Sequence, residues 1–172
     1  MNNKKRLLFL TTVFPYPLDN GGKIRAFNNI KALSTEYELD IVCFAENVIE
    51  KEYVEKLKEY CSEIKIIKKV FSNSLSKKVT INNIVKSLIK NSPFIIEKFY
   101  DTQCEDHIHC LLDKYKYKVI FFEHLSITCY KKLFNNDIKQ ILSEQNCEYI
   151  LMKRRYEKEH NFVKKSYIFL EY

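Results

Sequence analysis

The sequence predicts an α/β chain built on a doubly wound parallel sheet with helices on both faces, and three observations carry that prediction. Short apolar runs alternate along the chain with stretches whose apolar residues recur at helical spacing. The runs themselves are nearly continuous in Val, Ile, Leu and Phe, the pattern of strands covered on both faces. Both glycines of the 172-residue chain, Gly21 and Gly22, stand side by side in the turn after the first run.

Taken in order, Leu7 to Val13 is the first strand. From Lys23 to Thr35, residues Ala26, Phe27, Ile30 and Leu33 fall on one side of a helix and leave Arg25, Asn28 and Asn29 on another. Leu39 to Phe44 is the second strand, and Glu50 to Cys61 a helix aligning Tyr53, Leu57, Tyr60 and Cys61. Ile64 to Ile67 is the third strand, completing βαβαβ, half of a doubly wound sheet. Residues 72 to 92 break the alternation with a Ser/Asn/Lys-rich segment. Its Ile81, Ile84, Val85 and Leu88 stand at helical spacing among Lys77, Lys78, Lys86 and Lys90, which predicts a basic amphipathic helix. Beyond Pro93 a helix carries Cys104, Ile108, Leu111 and Leu112 on one side and leads into a fourth strand, Lys118 to Phe122. Residues 126 to 136 are expected to be helical and Ile138 to Leu142 to be the fifth strand. From Asn146 a single long charged helix is predicted towards Tyr172. The whole is a Rossmann-like, three-layer αβα domain.

The length suits one domain with a real core, and 46% apolar residues without a biased tract predict an ordered globule. The basic N-terminus precedes an apolar run that ends at Leu10, too short for a signal peptide, and no stretch approaches the roughly 20 apolar residues that span a bilayer. A soluble or peripheral, cytoplasmic protein is expected. Six cysteines without C-x-x-C spacing are read as reduced core residues. The net charge of +7 suggests an acidic partner such as a membrane surface, a phosphate-bearing substrate or a nucleic acid, or simply a Lys-rich surface. No nucleic-acid motif accompanies it, so nucleic acid is not expected. His107, His109 and His160 have no convergent partners, and no metal site is expected.

In such a sheet, ligands sit beyond the carboxyl ends of the strands, and the turn after the first strand faces that crevice. Glycine there permits positive φ and removes the Cβ, while the free N–H groups of the following helix favour an anion. Gly21 and Gly22, followed by Lys23 and Arg25, fit a phosphate or sugar close to the main chain; a tight turn needing glycine for geometry alone is the other reading. The G-x-G-x-x-G and G-x-x-x-x-G-K-[ST] patterns are absent, which argues against an NAD enzyme or a P-loop NTPase.

The stretch from Leu8 to Leu33, with Phe14-Pro-Tyr-Pro-Leu-Asp-Asn-Gly-Gly22 at its centre, resembles the opening of the glycosyltransferase family 4 (group 1) enzymes of GT-B fold. Ser92 to Tyr100, Phe122-Glu-His-Leu-Ser126 and Ser143 to Arg155 continue the resemblance in order, so that it covers nearly the whole chain. Gln145 departs from it, standing where relatives often carry histidine. The resemblance implies transfer of a sugar from a nucleotide donor to a glycan or lipid-linked acceptor, with retention and without a cofactor or metal. It also implies a second, donor-binding domain that is not in this sequence. The chain is then an acceptor-side domain, cut before its last strand and inactive alone. The alternative is a non-catalytic relative that serves as a binding or regulatory partner.

Residue by residue, the Gly21-Gly22 backbone would meet the donor phosphate or reacting sugar, with Lys23 or Arg25 adding positive charge. Asp19 would orient an acceptor hydroxyl or form an Asx turn. His124, directly beyond the fourth strand, matches a position where the family often carries a histidine near the donor sugar or acceptor; a structural role is the other reading. Glu123 would bind substrate or end the strand. Glu144, Asn146 and Glu148 would bind substrate or cap the last helix. Lys77, Lys78, Lys86 and Lys90 would hold an anionic membrane surface or a lipid-linked acceptor, or lie on an ordinary packed helix.

Overall fold

The computed structural model describes residues 4–69, 98–144 and 147–171. The expected basic helix with Lys77, Lys78, Lys86 and Lys90 lies outside the described residues, as do Gln145 and Asn146.

Among the described residues, five strands form one all-parallel sheet: β1 (Lys5–Thr11), β2 (Tyr37–Ala45), β3 (Glu63–Lys68), β4 (Tyr117–Glu123) and β5 (Lys139–Ser143). Their order across the sheet is β3-β2-β1-β4-β5, so the winding reverses between β1 and β4. The helices are α1 (Gly21–Ser34), α2 (Lys51–Lys58), α3 (Thr102–Lys114), a 3-10 helix (Leu125–Leu133), α4 (Glu148–Lys158) and α5 (Phe162–Glu171).

Strand side chains alternate between faces. One set, with Leu7, Phe9, Ile41, Cys43, Val119 and Phe121, packs beneath α1 and α2 against Ile30 and Leu57. The other, with Leu8, Leu10, Val42, Phe44, Ile120 and Phe122, packs against Cys104, Ile108 and Leu111 of α3 and Tyr130 of the 3-10 helix. Each fully buried Leu, Ile or Phe contributes on the order of 1.5–3 kcal/mol by leaving water. This two-sided core is the three-layer αβα architecture that the continuous apolar runs predict.

Three expectations change. The segment after β4 is a 3-10 helix rather than an α-helix. The terminal helix is two: Asn161 takes a hydrogen bond from Lys165 N at 2.8 Å and its own N–H donates to Glu159 Oε1 at 2.8 Å, a capping arrangement that ends α4 and starts α5. Of the cysteines, all free, only Cys43, Cys61 and Cys104 are buried; Cys129 is half-buried and Cys110 and Cys147 are exposed.

At the amino-terminal end of the sheet, Asp40 of β2 is fully buried beneath Arg6 of β1. Arg6 Nε donates to Asp40 Oδ2 at 2.6 Å and Nη2 to Oδ1 at 3.0 Å. Glu63 N donates to Oδ1 at 3.0 Å and the Tyr117 hydroxyl to Oδ2 at 2.5 Å. The guanidinium also lies 3.4 Å over the Tyr115 ring. Every oxygen of this carboxylate is satisfied.

Candidate functional site

Strand register sets the floor of the site. Thr11 at the end of β1 is level with Cys43 on one side and Glu123 on the other, and Glu123 is level with Ser143. Alternation turns Thr11, Glu123 and Ser143 towards the face that α1 covers.

α1 rests on that floor along one line of its surface. Gly21, Arg25 and Asn29 are four residues apart, so they stack on one side of the helix. Asn29 Nδ2 donates to Glu123 Oε2 at 2.9 Å. Arg25 reaches across β4: Nη2 donates to Ser143 Oγ at 2.5 Å, both terminal nitrogens donate to the Glu144 carbonyl at 3.1 Å, and Nε stands 3.6 Å from Glu123 Oε1. Glu123 has no exposed surface, and its Oε1 has no hydrogen-bond partner. Arg25 is therefore a clamp between α1 and the ends of β4 and β5 rather than an extended cation.

The next residue, His124, has φ of 90° and ψ of 145°, a conformation that L side chains rarely adopt and that costs on the order of 1–3 kcal/mol. Two bonds hold it there: His124 N donates to Ser143 O at 3.0 Å, and Ile127 N to His124 O at 3.3 Å. Glu144 Oε2 accepts from Leu125 N at 2.7 Å and so caps the 3-10 helix. The imidazole is half-buried at the crevice.

On the opposite side of the switch point, Asn20 caps α1, its side chain accepting from Lys23 N at 3.0 Å. Gly21 and Gly22 are the first two helical residues, whose N–H groups have no intrahelical acceptor. Neither glycine has a positive φ, which corrects that expectation: the left-handed residue at this crevice is His124. A Cβ at Gly21 would meet nothing within 4 Å, so backbone geometry and crowding both leave room for a side chain that the sequence withholds. The first turn of α1 carries no acidic residue. Asp19 and Lys23 bond each other at 3.0 Å, and the Asp19 carboxylate also accepts from Asn20 Nδ2 at 2.8 Å. Both cations in the first turns of α1 are thus paired, Lys23 with Asp19 and Arg25 with Glu123.

Of the predicted residues, Gly21, Gly22, Arg25, Glu123 and His124 converge on the reversal between β1 and β4, with Asp19 and Lys23 beside the start of α1. Glu148 is the first residue of α4, and neither a hydrogen bond nor an ion pair joins it to the Glu123 group among the described residues. Asn29 and Ser143 were not anticipated. Their signal was present as the four-residue spacing Gly21, Arg25, Asn29 and as the strand position of Ser143, but only tertiary register joins them.

A second feature lies on the other flank of α1, beyond the ends of β1 and β2. It is a cavity of 460 Å³ walled mainly by carbon, with Lys23 on its edge. Tyr16 in its wall stacks on Tyr53 at 5.8 Å and leans on Phe27 at 5.0 Å. Among the described residues, no group of three His, Cys, Asp or Glu side chains could hold a metal ion, and no helix is long and apolar enough to cross a membrane. The buried thiols of Cys61 and Cys104 are pushed up to about 12 by burial, so neither is a nucleophile near neutrality. Compared with known proteins, the chain matches no family model and no curated protein.

Proposed function

We propose that this chain is the acceptor-binding domain of a retaining GT-B glycosyltransferase, transferring a sugar from a nucleotide donor to a glycan or lipid-linked acceptor at the cytoplasmic face of a membrane. The observation that carries the reading is the pairing, at one topological switch point, of a glycine-opened helix N-terminus with a conformationally strained histidine. Ligands of open α/β sheets sit at such points. A strained residue there, held by two backbone bonds, is the kind of feature that function retains against stability.

In this reading the Gly21 and Gly22 N–H groups face the leaving diphosphate or the reacting sugar, and the open space at Gly21 lets the ligand reach the main chain. His124 hydrogen-bonds the sugar or the acceptor hydroxyl. Glu123, Asn29 and Arg25 touch no substrate; they fix α1 against β4 so that the two ligand-facing groups keep their spacing, the positional accuracy on which transfer depends. The donor is held chiefly by a second domain.

A second reading, a non-catalytic saccharide-binding partner, is favoured by one observation. With Lys23 and Arg25 both paired to acids, this side of the crevice offers a diphosphate only helix-end N–H groups.

The deciding experiment measures sugar transfer by the whole gene product from a panel of nucleoside diphosphate sugars, with wild type beside His124→Ala. Transfer reduced about 10²-fold or more in kcat by His124→Ala supports the transferase reading. Undiminished transfer removes His124 from the site. No transfer from any donor, with saccharide binding that His124→Ala weakens, selects the binding partner instead.

A further inference from the structure

We propose that the groove between α4 and α5 docks this protein on an anionic lipid surface, with lipid phosphates taken between Arg154, Arg155 and Lys158. The three side chains share one side of α4 with Leu151, because these positions follow one another at three- and four-residue spacings along the helix. Together they wall a groove of 410 Å³ that Ile168 of α5 bounds from across.

The cations are gathered there without acids to match them. Among the described residues none of the three side chains forms an ion pair or a hydrogen bond, although Glu157 stands between them in sequence. Glu159, the carboxylate in the wall, accepts from Asn161 N at 2.8 Å. Arg154 and Lys158 are four residues apart and Arg155 and Lys158 three, so like charges are neighbours in both pairs, an arrangement that weakens a helix. The dipole at the carboxyl end of α4 favours Arg155 and Lys158 in the last turn. It calls neither for Arg154 nor for a row free of carboxylate partners. An anion seated in the groove would answer all three cations.

The apolar groups decide what carries that anion. Ile150, 43% exposed, lies one turn before Arg154, and Leu151 and Ile168 give the groove carbon walls. No described residue of α4 is buried, which leaves Ile150 and Leu151 within reach of a surface outside the chain. A free phosphate or the backbone of a nucleic acid would use the cations and leave Ile150 in water. A lipid layer uses both, with phosphates at the cations and the aliphatic side chains at the acyl boundary. Where the proposed enzyme works at a membrane, this groove is the surface that meets it, and to that extent the inference rests on that reading; lipid binding is measured without any transfer.

The test is sedimentation of the full chain with vesicles of phosphatidylcholine and with vesicles in which part of it is replaced by phosphatidylglycerol. Binding to the mixed vesicles should be at least about tenfold tighter and should weaken as salt rises. Each cation near an anionic surface changes affinity about fivefold, so Arg154→Gln, Arg155→Gln and Lys158→Gln together should weaken binding about 10²-fold, and Arg154→Gln alone about fivefold. Ile150→Ser should weaken it several-fold with the same salt dependence. Circular dichroism checks that the variants fold; should the triple variant fail to, Arg154→Gln and Ile150→Ser decide. Millimolar glycerol 3-phosphate should not release the protein from the mixed vesicles. Equal binding to both vesicle types, a triple variant that binds as wild type does, or release by glycerol 3-phosphate overturns the inference. So does duplex DNA bound as tightly as the mixed vesicles with no effect of Ile150→Ser, which would mark a nucleic-acid surface. Any of these failures leaves sugar transfer to a water-soluble acceptor untouched, whereas vesicle binding by a gene product that transfers no sugar removes the transferase reading alone.

Discussion

The two ends of the sheet each bury a carboxylate against an arginine, and they do it differently. At the amino-terminal end Asp40 takes four hydrogen bonds, from Arg6 twice, Glu63 N and Tyr117. At the carboxyl end Glu123 takes one, from Asn29, with Arg25 Nε at 3.6 Å and one oxygen unmatched. A buried charge is tolerated when its partners are complete, and removing a partner from a complete set leaves the rest stranded. The first end is built for stability. The second, beside a histidine at φ 90°, gives up hydrogen bonds and backbone comfort where ligands of such sheets sit.

The largest expected effect tests the first half of that comparison. Asp40→Ala strands Arg6, the Tyr117 hydroxyl and Glu63 N in the interior, and should cost about 3–5 kcal/mol in urea unfolding. A loss below about 1 kcal/mol would mean that the network is not a stability device, and the contrast between the ends would collapse.

Alkaline pH strikes the same end next. Burial, and then the hydrogen bond to Asp40, raises the Tyr117 hydroxyl well above its ordinary range, and burial with the Asp40 charge pushes Cys61 up to about 12. Both groups are neutral in the fold and ionise sooner when unfolded, near pH 10 for tyrosine and 8.5 for cysteine. Their contribution is complete below those values and is lost as pH rises towards the folded-state values. The urea midpoint should hold to about pH 8.5 and fall between about pH 9 and 12, less steeply in Tyr117→Phe. Identical midpoints at pH 8 and pH 11 would contradict this account.

Glu123→Gln is the matched change at the other end. The amide keeps the volume and a bond to Asn29, and Arg25, 37% exposed, keeps Ser143 and the Glu144 carbonyl. The stability cost should be about 1 kcal/mol or less. Ligand binding at the crevice should suffer more than the fold does, because the clamp on α1 loosens. Equal costs for Asp40→Asn and Glu123→Gln in unfolding would erase the asymmetry.

His124→Gly follows in size and should go the other way. Glycine adopts φ 90° freely, so the release of strain, less the entropy that glycine adds to the unfolded chain, should leave the fold about 1 kcal/mol more stable. The imidazole is lost with it, so a more stable protein with weaker transfer or saccharide binding is expected. Destabilisation would show that the imidazole holds the fold.

How much of this could be read beforehand depends on the range of the interactions involved. β1, β2 and β4 are legible because burial on both faces makes each a continuous apolar run. α3 is legible because Cys104, Ile108 and Leu111 recur every three to four residues and all three are buried. The break between α4 and α5 was missed although Asn161 is a good capping residue, since charged residues on both sides masked the end of the apolar stripe. His124 could be placed from its position after β4, but its positive φ could not, because glycine is the usual bearer of that conformation and two glycines stood nearby. The pairing of Lys23 with Asp19 was available as an i,i+4 spacing. The pairing of Arg25 with Glu123 and Ser143 needed the register of β4 on β5 and the placement of α1, neither of which is local.

The smallest effect is the most specific. Gly21 has a helical backbone and empty space where its Cβ would be, so alanine fits without strain. Alanine also removes the conformational freedom that glycine adds to the unfolded chain, and Gly21→Ala should stabilise the protein by about 0.4–1 kcal/mol. If the turn used glycine for its fold, this substitution would be destabilising. If the space above Gly21 belongs to a ligand, the added methyl group stands between that ligand and the first N–H groups of α1, and binding should fall while the melting temperature rises. A rise in both would leave the glycine without a role at the crevice and shift the weight of the site to His124. Opposite signs would mean that the chain gives up helix stability at this position to let a ligand touch its backbone.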